Sequence, residues 1–230
     1  MQYNNENLTT KLRQKACALG FELFGIAKIQ EAPEIALFEK WLDNNYAGEM
    51  AYLARNKEKR MHPELIVDNA KSVIVCGANY HTNQSLSIEK APATCGWISR
   101  YAWGNDYHDV LKKRIRVLYE YFVELTSGEA AARYFIDTGP VLEKAWAKYA
   151  GVGWIGKNTC LINKEIGSYF FLAVIITDFG LGYSRPATDH CGTCTRCIDA
   201  CPTDALIAPY VLDANLCISY LTIEKRGSIP

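Results

Sequence analysis

The chain has 230 residues, of which 49% are hydrophobic, and its 25 Lys+Arg balance 25 Asp+Glu to a formal net charge of zero. That is enough apolar material for a sizeable core, and it excludes a disordered chain. It also excludes a global basic footprint for nucleic acid, leaving local basic runs at 55–60 (RNKEKR) and 112–116 (KKRIR). The opening MQYNNENLTTKLRQKA is polar and carries no apolar signal core. The longest apolar stretch, FFLAVII at 170–176, is far shorter than the roughly 20 residues that span a bilayer. A cytoplasmic protein with no membrane partner is expected. Nine cysteines without a signal peptide, four of them clustered, point to metal rather than to disulfides.

The expected elements run as follows. Residues 8–19 have amphipathic helical spacing, with Gly20 as a stop. Residues 21–29 read as a strand. Residues 33–46 read as a helix with Pro33 near its start, and 50–56 continue helical. Residues 71–80, KSVIVCGANY, read as a buried strand. Residues 105–125 form a long helix that Asn105 or Asp106 can cap. Residues 132–140 are a strand ending in a turn, and 141–151 a helix stopped by Gly151. Residues 158–178 read as a hairpin-like pair of strands. Strands and helices alternate, so an α/β or α+β domain is expected over 1–180. FGLGYSRPATDH (179–190) is rich in turn formers and reads as a linker. A boundary near residue 180 then leaves a small module over 181–230.

That module carries Cys191, Cys194, Cys197 and Cys201 followed by Pro202. The spacing C-x2-C-x2-C-x3-C-P is the bacterial ferredoxin pattern. Three thiolates two residues apart can wrap three iron corners of a 4Fe–4S cubane, and the fourth is aimed at a different cluster in two-cluster proteins. On that logic Cys191, Cys194 and Cys197 serve cluster one, and Cys201 serves cluster two, joined by Cys217. Thiolates also suit zinc, but a structural zinc site uses two separated pairs, so iron–sulfur is the favoured reading. TDALI, after Pro202, is expected to begin a helix. Cys17, on a helical apolar face, and Cys76, in a buried strand, read as core residues; Cys95 and Cys160 are left open.

Two stretches are dense in Gly, aromatic and charged residues: WISRYAWGNDYH (97–108) and DTGPVLEKAWAKYAGVGWIGKNTCLI (137–162). Asp137 ends a strand and opens a turn, where α/β folds place functional side chains. GVGWIGKN lets backbone approach a flat or phosphorylated ligand closely, yet it matches neither a P-loop nor a dinucleotide fingerprint. Two such stretches suggest a large planar ligand between them.

The wordings DTGPVLEKAWAKYAGVGWIGKNT, GSYFFLAVIITD, SRYAWGNDYH and CGTCTRCIDACPT together resemble the epoxyqueuosine reductase family, and the resemblance covers essentially the whole chain. It implies a cobalamin-binding α/β domain followed by a ferredoxin-like module with two 4Fe–4S clusters. It also implies action on tRNA: reduction of epoxyqueuosine to queuosine at the wobble position, with an unidentified electron donor. Asp137 matches the family's acid near cobalt, the proposed proton donor; holding that proton near neutral pH calls for a pKa raised by burial. Arg60, Arg100, Tyr101, Lys157, Asn158, Ser168 and Phe170 are placed around the cobalamin by the same match. Family members continue past CISYLTIEKRGSIP into a second cysteine motif, and often a helical-repeat domain that helps hold tRNA. The chain is therefore read as a C-terminally truncated member with incomplete cluster ligands, and as a monomer. A second function class stands beside this one: an electron-transfer or corrinoid-carrying iron–sulfur protein related to reductive dehalogenases.

Overall fold

The structure is a computed structural model that describes residues 5–86, 89 and 94–229. Four strands form one antiparallel sheet: β1 (Leu23–Lys28), β2 (Ser72–Asn79), β3 (Ala132–Phe135) and β6 (Phe170–Thr177), in the spatial order β1-β2-β6-β3. The central pair β2 and β6 are apolar on both faces. Ile74, Cys76, Ala173 and Ile175 point to one side, and Val73, Val75, Val174 and Ile176 to the other, all fully buried. A run of this kind usually marks a parallel strand covered by crossover helices. Here the sheet is antiparallel and still covered twice, so of the two expected classes the fold is α+β.

Helices α1 (Asn5–Ala18) and α5 (Tyr107–Leu125) cover the first face. They do so with Leu8, Leu12 and Ala16 from α1 and with Leu111, Ile115, Leu118 and Phe122 from α5. Both sets follow the helical period. Each fully buried Leu or Ile contributes about 2 kcal/mol. The Asp106 side chain accepts from the His108 N–H at 2.9 Å and so caps α5. Cys17 sits one residue beyond the buried stripe and is exposed, not a core residue as expected; Cys76 is buried. Helix α6 (Glu143–Tyr149) covers the other face through Trp146 and Ala147, followed by Ala150 at its C-terminus.

Between β1 and β2 lie α2 (Pro33–Asp43), α3 (Ala51–Arg55) and α4 (Lys57–Met61). The pair of strands expected over 158–178 is not a hairpin. β5 (Leu161–Ile162) turns back onto β4 (Trp154–Ile155), and β6 leaves to join the large sheet. The segment after β6 is coil, as expected, but it does not hang free. Gly182 N–H donates to Thr9 Oγ1 at 2.9 Å, Ser184 N–H to the Ile26 carbonyl at 2.8 Å and Ala187 N–H to the Lys148 carbonyl at 2.9 Å. Three of its backbone N–H groups are thus satisfied against α1, β1 and α6.

The remaining chain carries α7 (Arg196–Asp199) and α8 (Ile218–Ile223). The helix expected to begin directly after Pro202 does not form over 203–207. Asp204 adopts φ +52°, and the backbone N–H groups of Thr203, Ala205 and Leu206 turn toward Cys201 Sγ instead of propagating a helix. Trp41 Nε1 donates to the Leu212 carbonyl at 2.6 Å and Glu49 N–H to the Tyr220 hydroxyl at 2.8 Å, fastening this part to the helices before β2. No helix among the described residues is long and apolar enough to cross a membrane.

Candidate active site

Asp137 stands two residues beyond β3 in a left-handed conformation, φ +56°, which Asp tolerates better than most residues. Three side chains address it. Tyr107, the first residue of α5, donates its hydroxyl to Asp137 Oδ2 at 2.7 Å. His108 Nε2 lies 3.6 Å from the same oxygen, while its Nδ1 is 2.9 Å from Asp106 Oδ1. The Asp137 N–H donates to Glu143 Oε1 at 3.0 Å, from the first turn of α6. Beneath the loop lies Arg60, 8% exposed. Its Nη1 donates to the Gly139 and Val141 carbonyls at 3.2 and 3.3 Å. Gly139 is required, because a Cβ there would fall 2.3 Å from the Phe135 ring.

Burial and the bond to Asp137 push the Tyr107 hydroxyl far above its ordinary value, so it stays a donor. Burial, reinforced by the Asp137 charge, pushes the Glu143 carboxyl up to about 7; the carboxyl is enclosed although the residue keeps some open surface.

An aromatic row leads away from Asp137. The Tyr107 ring stacks on Phe171 at 4.1 Å, Phe171 meets Tyr80 at 4.5 Å, and Tyr80 meets Tyr169 at 5.5 Å. Tyr80 and Tyr169 open into a cleft of about 520 Å³ shared with Trp97, Arg100, Tyr101 and, from α8, Ile218. Several of its apolar walls are exposed, Ile98 by 69% and Ile218 by 50%.

The cysteine run forms a separate loop. Cys191 and Cys194 close a turn, Cys194 N–H to the Cys191 carbonyl at 2.9 Å, and Cys197 lies on α7. The N–H groups of Thr203, Leu206 and Ala205 lower the Cys201 thiol, favouring the thiolate that iron binds. Lys157 Nζ donates to the Gly192 and Cys194 carbonyls at 2.7 and 3.0 Å. The Asp189 carboxylate accepts from the Tyr210 hydroxyl at 2.6 Å and the Cys191 N–H at 2.7 Å. Among the described residues no three His, Cys, Asp or Glu side chains converge as ligands of one ion.

The family model described as "Epoxyqueuosine reductase QueG, DUF1730" matches residues 60–138, and "4Fe-4S double cluster binding domain" matches 190–230. The epoxyqueuosine reductase of Cellulophaga algicola is 47% identical over 223 residues, covering 95% of this chain and 70% of that protein. The chain belongs to the epoxyqueuosine reductase family. A crystal structure of epoxyqueuosine reductase with an epoxyqueuosine-modified tRNA-Tyr stem loop is 31% identical, with TM-score 0.84. The Bacillus subtilis epoxyqueuosine reductase, solved with its catalytic aspartate loop swung out of the active site, is also 31% identical, with TM-score 0.81. Each alignment covers 97% of this chain and 59% of the solved one.

Within this family member the expected cobalamin contacts part company. Arg100 and Tyr101 line the cleft, although the Arg100 guanidinium also donates to the Thr82, Gln84 and Ser85 carbonyls. Arg60 lies under the Asp137 loop and Lys157 at the cysteine loop. Asn158 caps its own turn by accepting from the Cys160 N–H at 3.1 Å. Ser168 is exposed, and Phe170 packs into the core beside α6. Burial was expected to raise Asp137, but its side chain is 64% exposed; the enclosed carboxyl is Glu143. Tyr80, Tyr107, Tyr169 and Glu143 were not singled out by sequence. Tyr107 and Glu143 stand inside the motifs quoted above, so proximity to Asp137 was the available signal.

Lys157→Met removes both bonds to the cysteine loop. Iron retention in a chelator titration is expected to weaken by about tenfold, the size of a lost ligand-supporting contact, with unchanged circular dichroism. Equal retention would show that the loop stands without Lys157.

Proposed function

We propose that this chain carries out the reduction of epoxyqueuosine to queuosine in tRNA, with cobalamin in the aromatic cleft and 4Fe–4S clusters on the cysteine loop. The carrying observation is Asp137: a carboxyl fixed by Tyr107 at one end of an aromatic row whose other end opens into a cleft. Both groups fit the residues present. The cysteine loop supplies soft sulfur donors, one of them cradled by backbone N–H groups. The cleft presents exposed apolar and aromatic walls, the kind of surface that marks a ligand site. On this reading the 1–180 domain holds the corrinoid and 181–230 the iron–sulfur module, and Cys201 and Cys217 belong to the second cluster.

Converting an epoxide to an alkene takes two electrons and two protons, and the oxygen leaves as water. When bound, the clusters and the corrinoid carry the electrons. The protein's own part is the proton. Tyr107 donates to Oδ2 of Asp137, which leaves Oδ1 to carry the proton that the opening C–O bond requires. Because Asp137 is open in the chain alone, the ligands that cover it would supply the desolvation. The nucleic-acid partner meets the protein without a global basic charge, so local basic side chains such as the exposed Lys112 and Lys113 would serve its phosphates.

The test is anaerobic. The chain is loaded with iron, sulfide and cobalamin, supplied with a chemical reductant, and given an anticodon stem loop bearing epoxyqueuosine. Conversion of that nucleoside to queuosine supports the reading. Bound corrinoid and iron with no conversion would instead favour a carrier of electrons or corrinoid.

A further inference from the structure

We infer that Glu143 and Arg60 are positioning residues that latch the 137–141 loop and so keep Asp137 against Tyr107. The inference rests on Asp137 being the proton donor. Its evidence is the number of groups spent on this one loop. The Asp137 backbone is in the left-handed region, a conformation that costs about 1–3 kcal/mol and persists only when the surroundings hold it. A bond between Tyr107 and a side chain 64% exposed does not by itself hold that backbone.

Glu143 does, since it accepts the Asp137 N–H directly. It is placed to do so by α6, whose first residue it is. Arg60 holds the other end of the loop by its two carbonyls. Its guanidinium also attracts the Glu143 carboxylate and that of Asp137. The two residues come from α4 and α6, so the loop is gripped from two separate elements. Arg60 is thus committed to protein carbonyls, and its Nε has no partner among the described residues. In the Bacillus subtilis relative the catalytic aspartate loop is swung out; here Asp137 is held in contact with Tyr107. The two structures differ in this respect.

Glu143→Ala, Glu143→Gln and Asp137→Asn are compared with the parent chain, after melting curves and iron content are found equal. Two quantities are read: amide hydrogen exchange over 136–142, and kcat and KM for the epoxyqueuosine stem loop. In Glu143→Ala, exchange over 136–142 is expected to speed up about tenfold, the equivalent of one lost hydrogen bond. Its kcat falls while KM holds. Glu143→Gln keeps an oxygen for the Asp137 N–H and is expected to restore slow exchange. Parent-like exchange in Glu143→Ala overturns the latch, whatever Asp137→Asn does. Faster exchange in Glu143→Ala together with full turnover in Asp137→Asn leaves the latch standing and overturns the proton-donor reading.

Discussion

Asp137→Asn is expected to lower turnover of an epoxyqueuosine stem loop by about 10²–10⁴-fold, the usual worth of a positioned acid, while binding and melting stay unchanged. The substitution is a clean one at this position. Asn is among the few residues that accept a left-handed backbone, and Asp137 sits at φ +56°. An amide oxygen still accepts from Tyr107, so the loop keeps its side-chain tie. What is lost is the transferable proton. Steady-state kinetics on the reduced, cofactor-loaded chain check it. Parent-like kcat in Asp137→Asn would remove Asp137 from the chemistry and leave the proton to Tyr107, His108 or water.

The largest structural effect is expected at Gly25, in the middle of β1. A Cβ there would lie 1.9 Å from the Ala150 carbonyl oxygen and 2.9 Å from its carbon. Ala150 closes α6, so the clash is with backbone, which cannot rotate away. Gly25→Ala therefore drives α6 off the sheet. It disturbs the packing of Trp146 and Ala147 and displaces Glu143 at the other end of the same helix. A cost of about 3 kcal/mol is expected, at the upper end of overpacking effects. Thermal melting should show it as a drop of roughly 6–12 °C for a chain of this size. Gly96 is the control: nothing lies within 4 Å of its Cβ position, so Gly96→Ala should stay within about 0.5 kcal/mol of the parent. Equal melting of Gly25→Ala and the parent would mean that α6 does not seat this closely on β1.

The elements and their caps were largely legible in the sequence. The period of α5, its Asp106 cap and the apolar runs of β2 and β6 are local patterns, and local patterns report local backbone. Pairing was not legible. β6 looks like the partner of the strand just before it, yet it pairs with β2 and β3, because the backbone N–H and C=O groups along the edges of its eight residues cannot be satisfied by a two-residue strand. The stretch after Pro202 has helix-forming composition, but Asp204 takes a left-handed backbone, φ +52°, inside what would be the first turn.

The functional residues divide along the same line. Cysteine spacing points to a cluster loop because three of the four cysteines stand two residues apart in one short turn of chain. Asp137 is a candidate through the family wording around it, which is contiguous in the chain. Arg60 and Lys157 carry motif positions too, but their long side chains reach partners 79 and 35 residues away. Which carbonyl a guanidinium or ammonium meets at that separation depends on how distant elements pack, and no spacing along the chain encodes it. The sequence by itself determined the family wording and the spacing of the cysteines. Only the tertiary structure decided that Arg60 and Glu143 hold the Asp137 loop and that Lys157 meets the cysteine loop, because those partners are brought within hydrogen-bond reach by how distant elements pack.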